Sequence, residues 1–170
     1  MPSGVRVRGT IALAAIAVAM LCSFVHEAEA AKFYRISDVA IEAQLLSDGS
    51  MDVTEVRTYR FQGAFRFAYR DLPVAGPVRF EDLSVGDGAG PYRQADSEEP
   101  GTYKIERTSD QIRVTWYFDA VSEPRTFSFH YLARNAVVRH DDAAVLYFKF
   151  VSEAWERPQE NVAVRVKPLE

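Results

Sequence analysis

The residues of this chain best suited to hold a metal ion are histidine and aspartate side chains in one short segment. His140, Asp141 and Asp142 are consecutive, and His130 lies on a preceding predicted strand. Imidazole and carboxylate groups bind divalent metals when they converge on one point, whereas adjacent side chains of a strand point to opposite faces. We therefore expect a turn with solvated or capping aspartates. A site of two histidines and one carboxylate is the alternative.

Paired carboxylates could support acid–base catalysis if they flanked a cleft. A glycoside hydrolase needs two carboxyl groups about 5–10 Å apart across its substrate. The adjacent pairs Glu81-Asp82 and Glu98-Glu99 do not supply that geometry, and no serine lies in a G-x-S-x-G motif. The single cysteine, Cys22, lies in an N-terminal apolar segment, so thiol chemistry is excluded from the rest of the chain. The sequence therefore predicts no catalytic residue, no cofactor and no metal.

A segment dense in charged and aromatic residues runs from Asp48 to Pro73. Its alternation predicts two strands joined by a tight turn at Gln62-Gly63, with a bulge at Glu55-Val56 where the alternation slips. In that hairpin Glu55 would lie opposite Arg70. We interpret the two as a structural ion pair that fixes strand register; a carboxylate tuned by a cation for function is the alternative.

The exit of this hairpin and the arginines around it are the candidate interaction surface. Pro73 fixes the direction of the exit, and we expect Asp71 to cap that turn. Three arginines are expected to form a small cationic patch on one sheet face. The candidate residues are Arg66, Arg70, Asp71, Arg79 and Trp155.

Aromatic residues are numerous, and most of them recur at the period of a strand. That pattern is typical of a core. Tyr92, Tyr117 and Trp155 fall outside the regular faces, so they are the candidates for stacking on sugars, with packing in the core or its rim as the favoured interpretation. The regular sets are Phe65, Phe67 and Tyr69; Trp116 and Phe118; and Phe127, Phe129 and Tyr131.

The elements that must position these residues are strands throughout. About nine short strands, with Gly, Pro and Asp turns between them, predict an all-β, antiparallel β-sandwich of immunoglobulin-like type; a closed barrel is the alternative. The predicted strands are Val39 to Leu45, Met51 to Phe61, Phe65 to Tyr69, Val78 to Val85, Tyr103 to Arg107, Ile112 to Phe118, Arg125 to Leu132, Val145 to Val151 and Val162 to Val166. The segment Gly86 to Gly101 is predicted to be a mobile surface loop. Ser152 to Arg157 could form one short helical turn.

Residues 1–30 are predicted to be a signal peptide, preceding one domain at 31–170. They contain a basic start, an apolar run from Ile11 to Val25 and an Ala28-Glu29-Ala30 cleavage signal. The run is shorter than the roughly 18–20 residues that cross a bilayer, so export is favoured over a membrane-spanning helix. The chain carries a net charge of −4 with no basic run, which argues against nucleic-acid binding.

Several short motifs in a fixed order resemble the N-terminal extracytoplasmic domain of the domain of unknown function 2207 family, the YciQ-like predicted membrane proteins. The resemblance covers roughly Phe33 to Pro168. The motifs include Asp48-Gly49-Ser50, Tyr69-Arg70-Asp71-Leu72-Pro73, Trp116, Asn135-Ala136-Val137 and Trp155.

The resemblance implies a signal, a β domain outside the membrane, transmembrane helices and a low-complexity tail, with no established activity. This sequence stops at Glu170 without a hydrophobic span, which predicts an ectodomain fragment or a relative that lost its anchor. Membrane association would use a segment absent from this chain or an uncleaved signal. We expect a non-catalytic interaction or sensory module that binds a protein or a cell-envelope component. An enzyme or carbohydrate-binding domain acting on envelope glycans, and a folded spacer, are the alternatives.

Overall fold

The computed structural model describes residues 32–74, 76–150 and 159–168. The predicted signal peptide, the helical turn at 152–157 and Trp155 lie outside these ranges. The described residues form twelve strands: β1 (Phe33–Leu45), β2 (Met51–Gln62), β3 (Ala64–Pro73), β4 (Arg79–Asp87), β5 (Gly90–Pro91), β6 (Arg93–Gln94), β7 (Thr102–Arg107), β8 (Gln111–Val121), β9 (Pro124–Arg134), β10 (Val137–Arg139), β11 (Ala144–Leu146) and β12 (Val162–Lys167). Within the same ranges there is no helix with the length and apolar character that a bilayer crossing requires.

These strands form three open sheets in the described part of the chain. One sheet has six strands in the order β12-β1-β2-β9-β4-β5, the second has four in the order β3-β8-β7-β6, and β10 pairs with β11. Most neighbours are antiparallel, but β1 with β12 and β6 with β7 are parallel. The predicted all-β class is confirmed. Because the sheets are open, the alternative of a closed barrel is wrong.

All nine predicted strands are present, although one of them is shorter than expected. The strand predicted at Val145 to Val151 corresponds to β11, which ends at Leu146. The additional strands β5, β6 and β10 contain only two, two and three residues, too few for alternation to reveal them.

Two charged residues of strand β2 occupy positions that face the core. Every second residue from Met51 to Phe61 is buried, and Glu55 and Arg57 occupy two of those inward positions while Val56 faces solvent. Pairing with β9 continues without a shift along β2, so the predicted bulge at Glu55-Val56 is wrong. A register shift is found instead in the pairing of β2 with β1, between Ile36 and Asp38 of β1.

The predicted hairpin between β2 and β3 is also wrong, because the two strands belong to different sheets. Strand β2 pairs with β1 and β9, whereas β3 pairs with β8. Gly63, at φ 88°, is the point where the chain crosses between the sheets. Its N–H donates to Ser122 Oγ at 2.9 Å, and its carbonyl accepts from the Ser122 N–H at 3.0 Å. The Gln62-Gly63 dipeptide is therefore a crossover rather than a hairpin turn.

The core lies between the two larger sheets and consists largely of aromatic rings. The ring centre of Phe118 lies 5.4 Å from Phe61 and 4.7 Å from Phe127, and Trp116 lies 6.5 Å from Tyr59. Burying one large apolar side chain contributes about 1.5–3 kcal/mol, so these contacts are a main source of cohesion between the sheets.

The segment Gly86 to Gly101, predicted to be a loop, contains two short strands. Strand β5 joins the six-stranded sheet and β6 joins the four-stranded sheet. Between them Tyr92 donates to Asp87 Oδ2 at 2.9 Å, and its ring lies 6.4 Å from Phe127 in an edge-on arrangement. The expectation of a mobile surface loop is corrected: this segment contains two short strands and forms a further connection between the sheets, and Tyr92 packs at their margin.

Candidate functional site

A buried ionic cluster lies at the centre of β2. Glu55 is fully buried, Arg57 is 2% exposed and Arg70 is 6% exposed. Arg57 Nε donates to Glu55 Oε2 at 2.8 Å, and Arg57 Nη2 donates to the same oxygen. The other oxygen, Oε1, accepts from Tyr131 Oη at 3.0 Å and from Arg70 Nη2 at 3.4 Å. Both oxygens of the carboxylate are therefore occupied by donors.

These neighbours keep the carboxylate ionised in the interior. Burial works to raise the pKa of Glu55, but the charges of Arg70 and Arg57 outweigh it and hold that pKa below its usual value. Burial, and next the nearby Glu55 charge, raise the pKa of Tyr131 well above its usual value, so its hydroxyl stays protonated and donates. A carboxylate held in this way is suited to structural bracing rather than to proton transfer.

The predicted contact between Glu55 and Arg70 is present, but it arises differently from the expectation. The two residues are on different sheets and meet across the core, not across a hairpin. Arg57 was missed by sequence reasoning. The signal for it was its spacing: it is two residues from Glu55 and therefore on the same face of β2.

A second candidate site is the outer face of β3 and β8, turned away from the core. Facing pairs across the two strands are Phe67 with Tyr117, Tyr69 with Thr115 and Asp71 with Arg113. Phe67 is 54% exposed and Tyr69 is 41% exposed. These six residues are called the outer aromatic face below.

The exposure of Phe67 and Tyr69 corrects the prediction that they share a core face with Phe65. The pairing of β3 with β8 shifts register between Phe65 and Phe67. Before the shift, Phe65 packs 4.6 Å from Phe61 in the core; after it, Phe67 lies 6.5 Å from Tyr117 on the outside. Tyr117 itself is covered, at 5% exposed.

An ion pair lies beside these rings. Arg113 Nε and Nη2 donate to the two carboxylate oxygens of Asp71, each at 2.7 Å, and the guanidinium lies 4.5 Å from the centre of the Tyr69 ring. The hydrogen bonds from Arg113 to Asp71 raise the pKa of the guanidinium further. Asp71 therefore holds Arg113 in place, and the expectation that Asp71 caps a turn is wrong.

The predicted cationic patch does not form. Arg66 is exposed on β3, but Arg70 points into the core. Arg79 lies on β4 in the other sheet, where it donates to the carbonyls of Gly76 and Val78. Trp155, the last residue of that surface, lies outside the described residues.

The other acidic and histidine candidates do not gather into one site in the described part of the chain. His140 and Asp142 are in the turn between β10 and β11. His130 is on β9, with Nε2 3.0 Å from Asp52 Oδ1 and Nδ1 3.2 Å from the carbonyl of Asp82. Over residues 32–74, 76–150 and 159–168, no three His, Cys, Asp or Glu side chains form a group that could hold a metal ion.

An open cavity of about 1300 Å³ runs along β3 and takes in both of its faces. Phe67, Tyr69 and Arg113 line it on the outside, and Tyr34 and Phe61 line it towards the core. The exposed rings of the outer aromatic face therefore lie at the border of this cavity.

The chain matches a model of a known protein family. A family model described as the N-terminal domain of a predicted membrane protein (DUF2207) matches residues 35–168. The matched span contains most of β1 and all of β2 to β12. No curated protein matches the chain.

Proposed function

The chain belongs to the DUF2207 N-terminal domain family of predicted membrane proteins, and from that premise we propose that it is an exported, non-catalytic interaction or sensory module. In this proposal the domain is an immunoglobulin-like β-sandwich that acts on the extracytoplasmic side of the membrane. It binds a component of the cell envelope through the outer aromatic face.

The observation that carries the proposal is the exposure of Phe67 and Tyr69 side by side on β3. More than a third of the surface of each ring is exposed to water. Each ring is nevertheless held by a neighbour, since Phe67 packs against Tyr117 and Tyr69 packs against the guanidinium of Arg113. Aromatic residues supply large contact area at little entropic cost, and exposed apolar patches with a polar border are typical of binding surfaces.

A binding role rather than catalysis is supported by the surroundings of the buried carboxylate of Glu55. Glu55 is fully buried, and both of its oxygens accept hydrogen bonds from neighbouring side chains. A general acid or base needs access to its substrate. The cluster is therefore better suited to bracing the two sheets behind the binding face.

The experiment is co-sedimentation of the full 170-residue chain with isolated cell envelopes. The test variant F67S/Y69S removes both exposed rings. The matched control, V145S/Y147S, removes two exposed apolar residues at the same spacing on β11 and just after it, where they are 46% and 88% exposed. Circular dichroism and urea unfolding check that both variants fold.

We expect F67S/Y69S to bind about tenfold more weakly or worse, because truncating an anchoring aromatic residue costs more than about 1 kcal/mol of binding free energy. The control should bind within about twofold of the unmodified chain. Equal binding by all three proteins, or no sedimentation of the unmodified chain, would overturn the proposal.

A further inference from the structure

We propose that the ligand of the outer aromatic face is an uncharged glycan chain that lies along β3. This inference rests on the proposed function, because it names the ligand of the same face. Its basis is that the exposed rings of Phe67 and Tyr69 are followed, in the next facing pair of β3 and β8, by side chains that donate and accept hydrogen bonds.

The order of side chains along β3 and β8 suits the two-sided chemistry of a sugar. A sugar ring presents an apolar C–H surface on its face and hydroxyl groups at its rim. Phe67 and Tyr69, two residues apart and hence roughly 7 Å apart along the strand, provide successive apolar platforms. Asp71 and Arg113 follow in the next row as an acceptor and a donor for hydroxyl groups.

The charges of this face are neutralised in pairs, which favours an uncharged ligand. Arg113 is held by Asp71 at 2.7 Å, and on the adjacent strand β7 Lys104 lies 3.9 Å from Glu106. Among the other charged residues of the cavity border, Arg70 points into the core, where it and Arg57 share the carboxylate of Glu55. Two cations and two carboxylates remain: Lys32, Arg66, Glu98 and Asp110.

Polyanions and anionic membranes require an excess of cations, so this balance argues against both. It is consistent with a ligand that carries hydroxyl groups and no net charge. Salt should therefore have little influence on binding to this face.

Strand addition by a peptide is disfavoured by the character of the β3 edge. In the described part of the chain β3 pairs only with β8, so its other edge has no partner strand. The strand carries the exposed Arg66, a register shift between Phe65 and Phe67 in its pairing with β8, and Pro73 at its end. Natural proteins use charges, irregular pairing and proline to prevent edge pairing. A ligand of this site is therefore expected to contact side chains rather than complete the sheet.

The test uses the polysaccharide fraction of the cell envelopes, freed of protein and lipid, as the probe in affinity gel electrophoresis. The full chain should be retarded by this fraction. F67S/Y69S should lose about tenfold or more of the affinity, while V145S/Y147S should keep it. The exchange F67Y/Y69F, which retains both rings, should bind within about threefold of the unmodified chain.

Raising the salt concentration from about 0.05 to 0.5 M should change the retardation little. The glycan inference is overturned if the purified polysaccharide causes no retardation, or if retardation disappears with salt. If envelope binding then still depends on Phe67 and Tyr69 and is abolished by protease treatment of the envelopes, the ligand is a protein and the proposed function stands. If envelope binding does not depend on these two rings, the proposed function fails as well.

Discussion

Glu55 and Arg70 meet across the core between the two larger sheets, with Arg70 Nη2 3.4 Å from Glu55 Oε1. The contact joins β2 in the middle of the six-stranded sheet to β3 at the edge of the four-stranded sheet. Arg70 directly follows Tyr69 on β3, and adjacent side chains of a strand point to opposite faces. Arg70 therefore points inward to Glu55, while Tyr69 points outward to solvent. The buried cluster therefore holds the strand that carries the exposed rings.

Replacing Glu55 with glutamine should destabilise the domain severely. The change leaves Arg57 and Arg70 buried without the carboxylate charge they share, and breaking a buried ion pair costs about 3–5 kcal/mol. The matched control is E160Q, which breaks an ion pair with Arg35 in which both side chains are 49% exposed, and should cost about 1 kcal/mol or less. Urea unfolding measures both. Equal, small losses would show that Glu55 does not brace the sheets.

Removing the hydroxyl of Tyr131 should cost more than removing that of Tyr103. Tyr131 donates to the charged Glu55 at 3.0 Å, whereas Tyr103 donates to the neutral carbonyl of Leu83 at the same distance. Hydrogen bonds to charged groups contribute about 1.5–3 kcal/mol and neutral ones about 0.5–1.5 kcal/mol. Free energies of unfolding of Y131F and Y103F test the order, and a larger loss for Y103F would contradict it.

The domain should lose stability in acid. Burial works to raise the pKa of Glu55, but the charges of Arg70 and Arg57 lower it in the fold. Burial likewise works to raise the pKa of Asp87, but hydrogen bonds from Ala89, Tyr92 and Arg125 lower it. A folded pKa below the unfolded one means that the unfolded chain binds more protons in acid. The resulting stability is complete above the ordinary carboxyl values of 4.5 and 3.8 and is lost as the pH falls through the lower folded values.

The measurement is the urea midpoint at about pH 7 and about pH 3. D87N should show a smaller drop between these two conditions than the unmodified chain, because it lacks one of the groups responsible. A midpoint that rises in acid, or an unchanged drop in D87N, would be inconsistent with these assignments.

Gly86 should tolerate no side chain, whereas Gly88 should accept one. A Cβ at Gly86 would come within 2.8 Å of the Gly90 carbonyl oxygen, whereas a Cβ at Gly88 would meet nothing within 4 Å. Backbone must therefore move in G86A, at a cost of about 1–3 kcal/mol, and G88A should be close to neutral. Thermal or urea unfolding of the two variants provides the comparison. Equal stabilities would mean that the turn between β4 and β5 adapts freely.

Local alternation predicted where the strands lie but not which strands are neighbours. Between β2 and β3 a short Gln62-Gly63 connection is compatible with a hairpin and with a crossover, and the sequence does not distinguish them. The crossover places two aromatic-rich strands in opposite sheets, where Phe61 and Phe65 pack 4.6 Å apart. Contacts between residues on separate sheets decided the topology.

The candidate site was only partly predictable for the same reason. Arg70 and Asp71 were identified as charged residues near a strand end, but their opposite directions, inward to Glu55 and outward to Arg113, follow from the register of β3 against β8. The partner Arg113 is 42 residues from Asp71 in the chain, beyond the reach of any local pattern.

The sequence by itself determined the all-β class, the positions of the longer strands and the family, because side-chain alternation and short ordered motifs are local properties. The tertiary structure alone decided that Glu55 and Arg57 face the core and that Phe67 and Tyr69 face solvent. The two-residue period of a strand indicates which of its side chains share a face. Which face is buried depends on the partner strands and on a register shift that only packing of the whole domain selects.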